Sequence, residues 1–163
     1  MQVFPIINLM SKKKIIILII AILLAGVSLY IYKEYNRKNK DLGKVTADME
    51  IQSSDLIKKF ETDEAAANKI FLTKKDFVVA VTGRVKEVVK DEKGYYTIVL
   101  GDTAAFSTVR CLMDSMHRQE VSRVKQGDKL TIHGAITGFN KDDLLGSDVI
   151  LNRCAIPKQL SNL

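Results

Sequence analysis

FVVAVTGRVKEVVKDEKGYYTIVL, residues 77–100, decides the fold. Phe77, Val79, Val81, Gly83 and Val85 alternate with Val78, Ala80, Thr82, Arg84 and Lys86. Period two is the signature of a strand with one face buried. Gly83 inside it predicts a bend or bulge. Asp91–Gly94 reads as a turn. Tyr95–Leu100 then reads as a second strand, with Tyr96, Ile98 and Leu100 on one face and Tyr95, Thr97 and Val99 on the other.

Downstream, Gly101–Asp102 turns the chain into a third strand, Phe106–Met113. A short helix is expected from Asp114 or Ser115 to about Val124, then a turn at Gly127–Asp128. A fourth strand, Lys129–Ile136, and a loop, Gly138–Asp143, lead to a fifth strand, Ser147–Ile156, which Pro157 stops. Upstream, Ser53 and Ser54 are placed to cap a helix over Asp55–Phe60, and Thr62 to cap another reaching Ile70 and Phe71. Five strands with a helix between the third and fourth match the five-stranded Greek-key barrel called the OB-fold. Residues 76–163 are assigned to that barrel and 53–75 to a helical cap whose apolar residues close one end of it.

Further upstream lies IIILIIAILLAGVSLYIY, residues 15–32, without a charge or a proline. As a helix it is about 27 Å long, close to the hydrocarbon thickness of a bilayer. Tyr30 and Tyr32 sit at one end, where aromatic rings favour the interface. Residues 12–34 are therefore read as a transmembrane signal anchor partnered by lipid, 1–11 as a short N-terminal tail, and 35–52 as a polar spacer. Met10 is a second potential start. Lys12–Lys14 resemble the basic region of a signal anchor, which sends the following domain out of the cytoplasm. Counting Lys and Arg alone gives three before the span and four just after it, which pulls the other way. The reading adopted is a single-pass inner-membrane protein with its C-terminal domain extracytoplasmic.

The formal charge of +6 is concentrated near the span. Residues 1–40 carry seven Lys/Arg against Glu34, whereas 41–163 carry eighteen basic and eighteen acidic residues. A domain that binds nucleic acid through phosphates usually shows a basic excess, so this balance disfavours that partner. No local motif unites His117, His133, Cys111 and Cys154 into a nucleophilic or zinc site. The adjacent acids Asp142 and Asp143 read as a solvated loop. The chain is expected to be no enzyme and to need no cofactor or metal.

The segments AAANKIFLTKKDFVVAVTGRVKEVV, GYYTIVL, TVRCLM, GDKLTIHG and LLGSDVILNRC resemble the bacterial tRNA_anti-like OB-fold proteins over about residues 54–157. Members are lipoproteins or signal-anchored proteins; this chain has no cysteine near its span, so the helix itself would be the anchor. The family name records likeness to anticodon-binding domains and does not imply tRNA binding. In such a barrel the ligand face is the surface of the second and third strands. That makes Tyr95, Thr97, Thr108 and Arg110 candidate contacts, with Arg84 and Lys86 from the first strand. Tyrosine and arginine there can stack on and hold a single strand of nucleic acid; the plainer alternative has Tyr95 packed at the barrel mouth and Arg110 paired with an acid. The third and fifth strands pair in this fold, so Cys111 and Cys154 are either two buried thiols or cross-strand neighbours joined by a disulfide in an oxidising compartment. The expected function is non-enzymatic binding of an envelope protein, peptide or glycan, with single-stranded nucleic-acid binding as the alternative.

Overall fold

The computed structural model describes residues 12–35, 40–74, 77–142 and 144–157, so the expected tail 1–11 lies outside it. The chain divides into two units, residues 1–40 and 41–163. The first holds a single helix, α1 (Lys12–Tyr35), whose segment Ile15–Lys33 has a mean hydropathy of 2.8 and none of its length buried in protein. It is long and apolar enough to cross a membrane.

The second unit begins with a 3-10 turn, Leu42–Lys44, and runs through β1 (Met49–Gln52), α2 (Ser53–Thr62), α3 (Glu64–Phe71), β2 (Val79–Lys90), β3 (Tyr96–Leu100) and β4 (Thr108–Met113). A 3-10 turn (Ser115–His117) leads into α4 (Arg118–Val121), followed by β5 (Lys129–Asn140) and β6 (Asp148–Ala155). The sheet order β1-β2-β3-β4-β6-β5, with β2 also paired to β5, closes β2 to β6 into a barrel. β4 and β6, the third and fifth strands of the barrel, pair as expected and run parallel, and the remaining barrel pairs are antiparallel. Val79, Val81, Val85, Ile98, Leu100, Val109, Ile132, Val149 and Leu151 fill the interior.

The polar spacer expected over 35–52 is corrected from Asp41 onward. Leu42 and Gly43 are buried, and β1 adds a parallel strand to β2, with Met49 opposite Val79 and Ile51 opposite Val81. The Asp48 carboxylate fixes this junction by accepting the Val78 N–H at 2.9 Å and the Lys74 ammonium at 2.6 Å. Four residues are too few to show a period amid polar neighbours, so β1 escapes sequence patterning.

Other boundaries move for local reasons. Ser53 is the first residue of α2, with Gln52 in the capping position. Asp63, not Thr62, caps α3, its carboxylate taking the Ala66 N–H at 2.9 Å. Of the bend or bulge expected at Gly83, the bulge lies elsewhere: register with β5 runs unbroken through Gly83, and the shift against β3 falls between Val85 and Glu87. Gly83 serves contact instead, since a Cβ there would lie 2.6 Å from Ser53 Oγ. The start of α2 therefore rests against the barrel wall. Phe60 of α2 stacks between Phe71 (centroids 5.7 Å apart) and Phe139 (5.1 Å), closing one pole of the barrel. At the other pole, α4 follows β4, and the chain enters beside the end of β6: a Cβ on Gly43 would be 3.2 Å from Ala155 Cβ.

Candidate functional site

The alternation of β3 and β4 puts Thr97, Val99, Arg110 and Leu112 on the side away from the barrel interior, although Val99 is itself buried, and register aligns them in rows: Thr97 with Leu112, and Val99 with Arg110 and then Ile150 of β6. Arg110 is the cation at the centre of this face. Its Nη1 lies 3.6 Å from Asp148 Oδ2 at the start of β6. Thr108 is buried, and its hydroxyl donates to the other Asp148 oxygen. The threonine thus positions the acid that holds the arginine, which corrects its expected role as an exposed contact. Tyr95 is half exposed just ahead of β3, and the Arg118 guanidinium of α4 covers its ring at 5.3 Å. Its backbone N–H is held by Asp91 at 2.7 Å.

Arg84 and Lys86 form a separate group. Arg84 donates to the Gly127 carbonyl at 3.1 Å and lines a hollow of about 660 Å³ with Gln52, Asp102, Thr103 and Lys129. Lys86 donates to the Ala105 carbonyl. The six sequence candidates therefore fall into two clusters, and each of their three cations has a partner within the unit. Arg118 and Asp148 complete the face but carry no signal in the sequence. Both reach it through tertiary folding across a helix and a parallel crossover.

A second feature lies at the pole capped by α2. Phe106, expected inside the third strand, is in the loop before β4 and 77% exposed; Leu144 and Leu145 are 91% and 76% exposed. Gly146 has φ +88°, and a Cβ there would sit 2.5 Å from the Phe106 carbonyl carbon, so glycine is what lets the two loops touch. Between them and α2 is a cavity of about 610 Å³, lined in part by Ser53, Ile57, Glu61, Lys141 and Asp142. Ser107 ties the walls together, donating to Glu61 at 2.7 Å and accepting the Ser147 N–H at 3.0 Å. Asp142 accepts the N–H groups of Leu144 and Leu145, which hold its carboxyl below the usual range. Its expected companion, Asp143, lies outside the described residues.

Cys111 and Cys154 are free, fully buried thiols. They do not oppose each other directly, because Cys111 pairs with Leu151 and Cys154 with Met113. The shift is a bulge at which Arg153 adopts φ +53°. Burial, together with the Cys111 thiol beside it, pushes the Cys154 pKa up. His117 and His133 both point to the entry stem. Among the described residues, no cluster of three His, Cys, Asp or Glu is arranged to hold a metal.

A closed barrel of this topology, with an N-terminal helix of membrane length, defines an OB-fold protein with a candidate membrane anchor. The chain belongs to the tRNA_anti-like family, whose model matches residues 6–155. It is similar to a lipoprotein of Klebsiella pneumoniae described as a candidate nucleic acid-binding protein, at 16% identity and a TM-score of 0.50 over 69% of this chain and 92% of that one. At that identity the likeness shows the fold. It is also similar to asparaginyl-tRNA synthetase of Entamoeba histolytica (13%, TM-score 0.37, 51% of this chain and 21% of that one). A replication factor A related protein of Methanobacterium thermoautotrophicum matches at 14% and a TM-score of 0.34, over 51% of this chain and 83% of that one. No curated protein matches the chain significantly.

Proposed function

We propose that this chain is a membrane-anchored, non-enzymatic binding module of the cell envelope, its barrel extracytoplasmic, and that the β3–β4–β6 face takes an extended segment of a protein, peptide or glycan. One observation carries the reading: Arg110, the central cation of the face, is already paired with Asp148, and its neighbours on the face include Leu112 and Ile150. A phosphate backbone would have to compete with that carboxylate. The equal numbers of basic and acidic residues in 41–163 point the same way. Anchoring raises the local concentration of the module, so a weak site suffices.

The alternative, single-stranded nucleic acid, draws support from Tyr95 under Arg118, a stacking platform with a cation. The test is a titration of the full chain in nanodiscs with a fluorescent oligothymidylate at low and moderate salt. The proposal expects no binding that weakens with salt. Salt-sensitive binding abolished by Arg110→Ala or Tyr95→Ala would establish the alternative. In an oxidising compartment the buried cysteines are close enough in the core to be proposed as a disulfide pair; faster migration on a non-reducing gel, lost in Cys154→Ser, checks that.

A further inference from the structure

The chain has two histidines, and both grip the same short segment. That segment is Asp41–Val45, the stem by which the chain enters the barrel unit. His133 Nδ1 donates to the carbonyls of Leu42 and Val45 at 3.2 and 3.1 Å. One N–H shared between two carbonyls is available to a neutral imidazole. His117 is different. It is 6% exposed, its Nε2 is 2.8 Å from Asp41 Oδ1, and its Nδ1 is 2.9 Å from Glu120 Oε2. A neutral imidazole has one N–H and can satisfy one of these carboxylates; the other would face a nitrogen lone pair. The imidazolium donates to both.

We infer that His117 is a proton-operated clasp: as the imidazolium it ties Asp41 of the stem to Glu120 of α4, and loss of its proton loosens residues 41–45, leaving them to His133 and the burial of Leu42, while the barrel stays folded. On the stem, Lys44 lies 3.7 Å from the far oxygen of Asp41. On its own turn, Asp114 is occupied by the Met116 N–H and Arg118 reaches toward Tyr95. From β5 comes His133. Asp48 bounds the loosened stretch, because its carboxylate is held by Val78 and Lys74. Once His133 also lets go, residues 41–47 are free, up to about 25 Å of chain at roughly 3.5 Å per residue.

The proton energetics agree in sign. Burial of His117 works against its charge, but the hydrogen bonds it donates to Glu120 and Asp41, and their negative charges, outweigh it and raise its pKa above 6.5. For Asp41, burial is likewise overcome, by His117, the Gly43 N–H and Lys44, and its pKa falls below 3.8. A raised histidine contributes fully below about pH 6.5 and loses its contribution as pH climbs through its folded value; a lowered aspartate loses its contribution in acid. The clasp is closed at mildly acidic pH and opens toward alkaline pH.

The test is amide exchange on the full chain in nanodiscs, corrected for intrinsic rate, at pH 6 and pH 9. The peptide spanning 41–47 is expected to lose protection by about tenfold at the higher pH, as for the loss of one hydrogen bond to a charged group. Peptides from β2 keep theirs. His117→Asn is expected to show low stem protection at both values, while His133→Asn retains the pH dependence. An imidazole NMR titration of the unaltered protein is expected to place the His117 midpoint above 6.5. Equal stem protection at both pH values, a pH dependence that survives in His117→Asn, or a midpoint at or below 6.5 overturns the inference.

Discussion

Gly134 shows how tightly single positions are set. It faces Val79 across the barrel wall, and a Cβ there would lie 2.7 Å from Cys154 Sγ and 3.0 Å from Leu151 Cδ2. Gly134→Ala is expected to destabilise the unit by about 1–3 kcal/mol through overpacking, read from urea unfolding of the full chain. Gly127 separates this cost from backbone strain. It has φ +92°, and a Cβ there would meet no heavy atom within 4 Å among the described residues. Gly127→Ala should therefore cost about 1–2 kcal/mol, from the left-handed conformation alone. Arg110→Ala, by contrast, removes a half-exposed ion pair and is expected to change stability by less than about 1 kcal/mol, so any loss of binding in that variant reports the face itself. Strand alternation in the sequence is enough to put Arg110 and Tyr95 forward for the barrel face. It gives no access to Asp148 or Arg118, because a partner thirty-eight or twenty-three positions away is fixed by register and not by local pattern.

Among the elements, the long strands were legible because their core residues recur at every second position, Val79, Val81 and Val85 in β2 and Ile98 and Leu100 in β3, even though Val78, Ala80 and Val99 beside them are also buried. Where the run is brief or broken by glycine and polar residues, that signal fails. β5 continues to Asn140, four residues past its expected end, through Thr137 and into Gly138–Asn140, which read as loop. α2 holds its place by side-chain packing, with Phe60 1% exposed between two other phenylalanines. Phe60→Ala is expected to cost about 3–5 kcal/mol, the range for emptying a buried aromatic site. Because α2 is also a wall of the cavity near Phe106, the same substitution should raise exchange of the Ser107 and Ser147 amides; a variant that unfolds at lower urea with those amides unaltered would show that α2 and the loops move independently.

For the molecule as a whole, the anchor and the barrel call for separate tests. Deleting residues 15–33 is expected to move the protein from the membrane fraction to the soluble fraction, checked by fractionation and immunoblot. Alkaline phosphatase fused after Leu163 is expected to be active, and a cytoplasm-only reporter at the same place inactive, if the barrel lies outside as proposed. The charge split between 1–40 and 41–163 was readable from composition alone, as was the membrane-length segment. The attachment of 41–52 to the barrel was not, since burial of Leu42 and pairing of β1 depend on surfaces that exist only once the barrel has closed. One consequence follows from Gly43 lying against Ala155 and Ile156. The unit's point of entry and its last strand share a pole, so its ends can be spliced and reopened elsewhere. A circular permutant that joins the two by a short glycine-serine bridge and starts anew in the exposed Asp91–Gly94 hairpin should keep the same wall of strands while moving the membrane leash from the β1 edge to the β2–β3 turn.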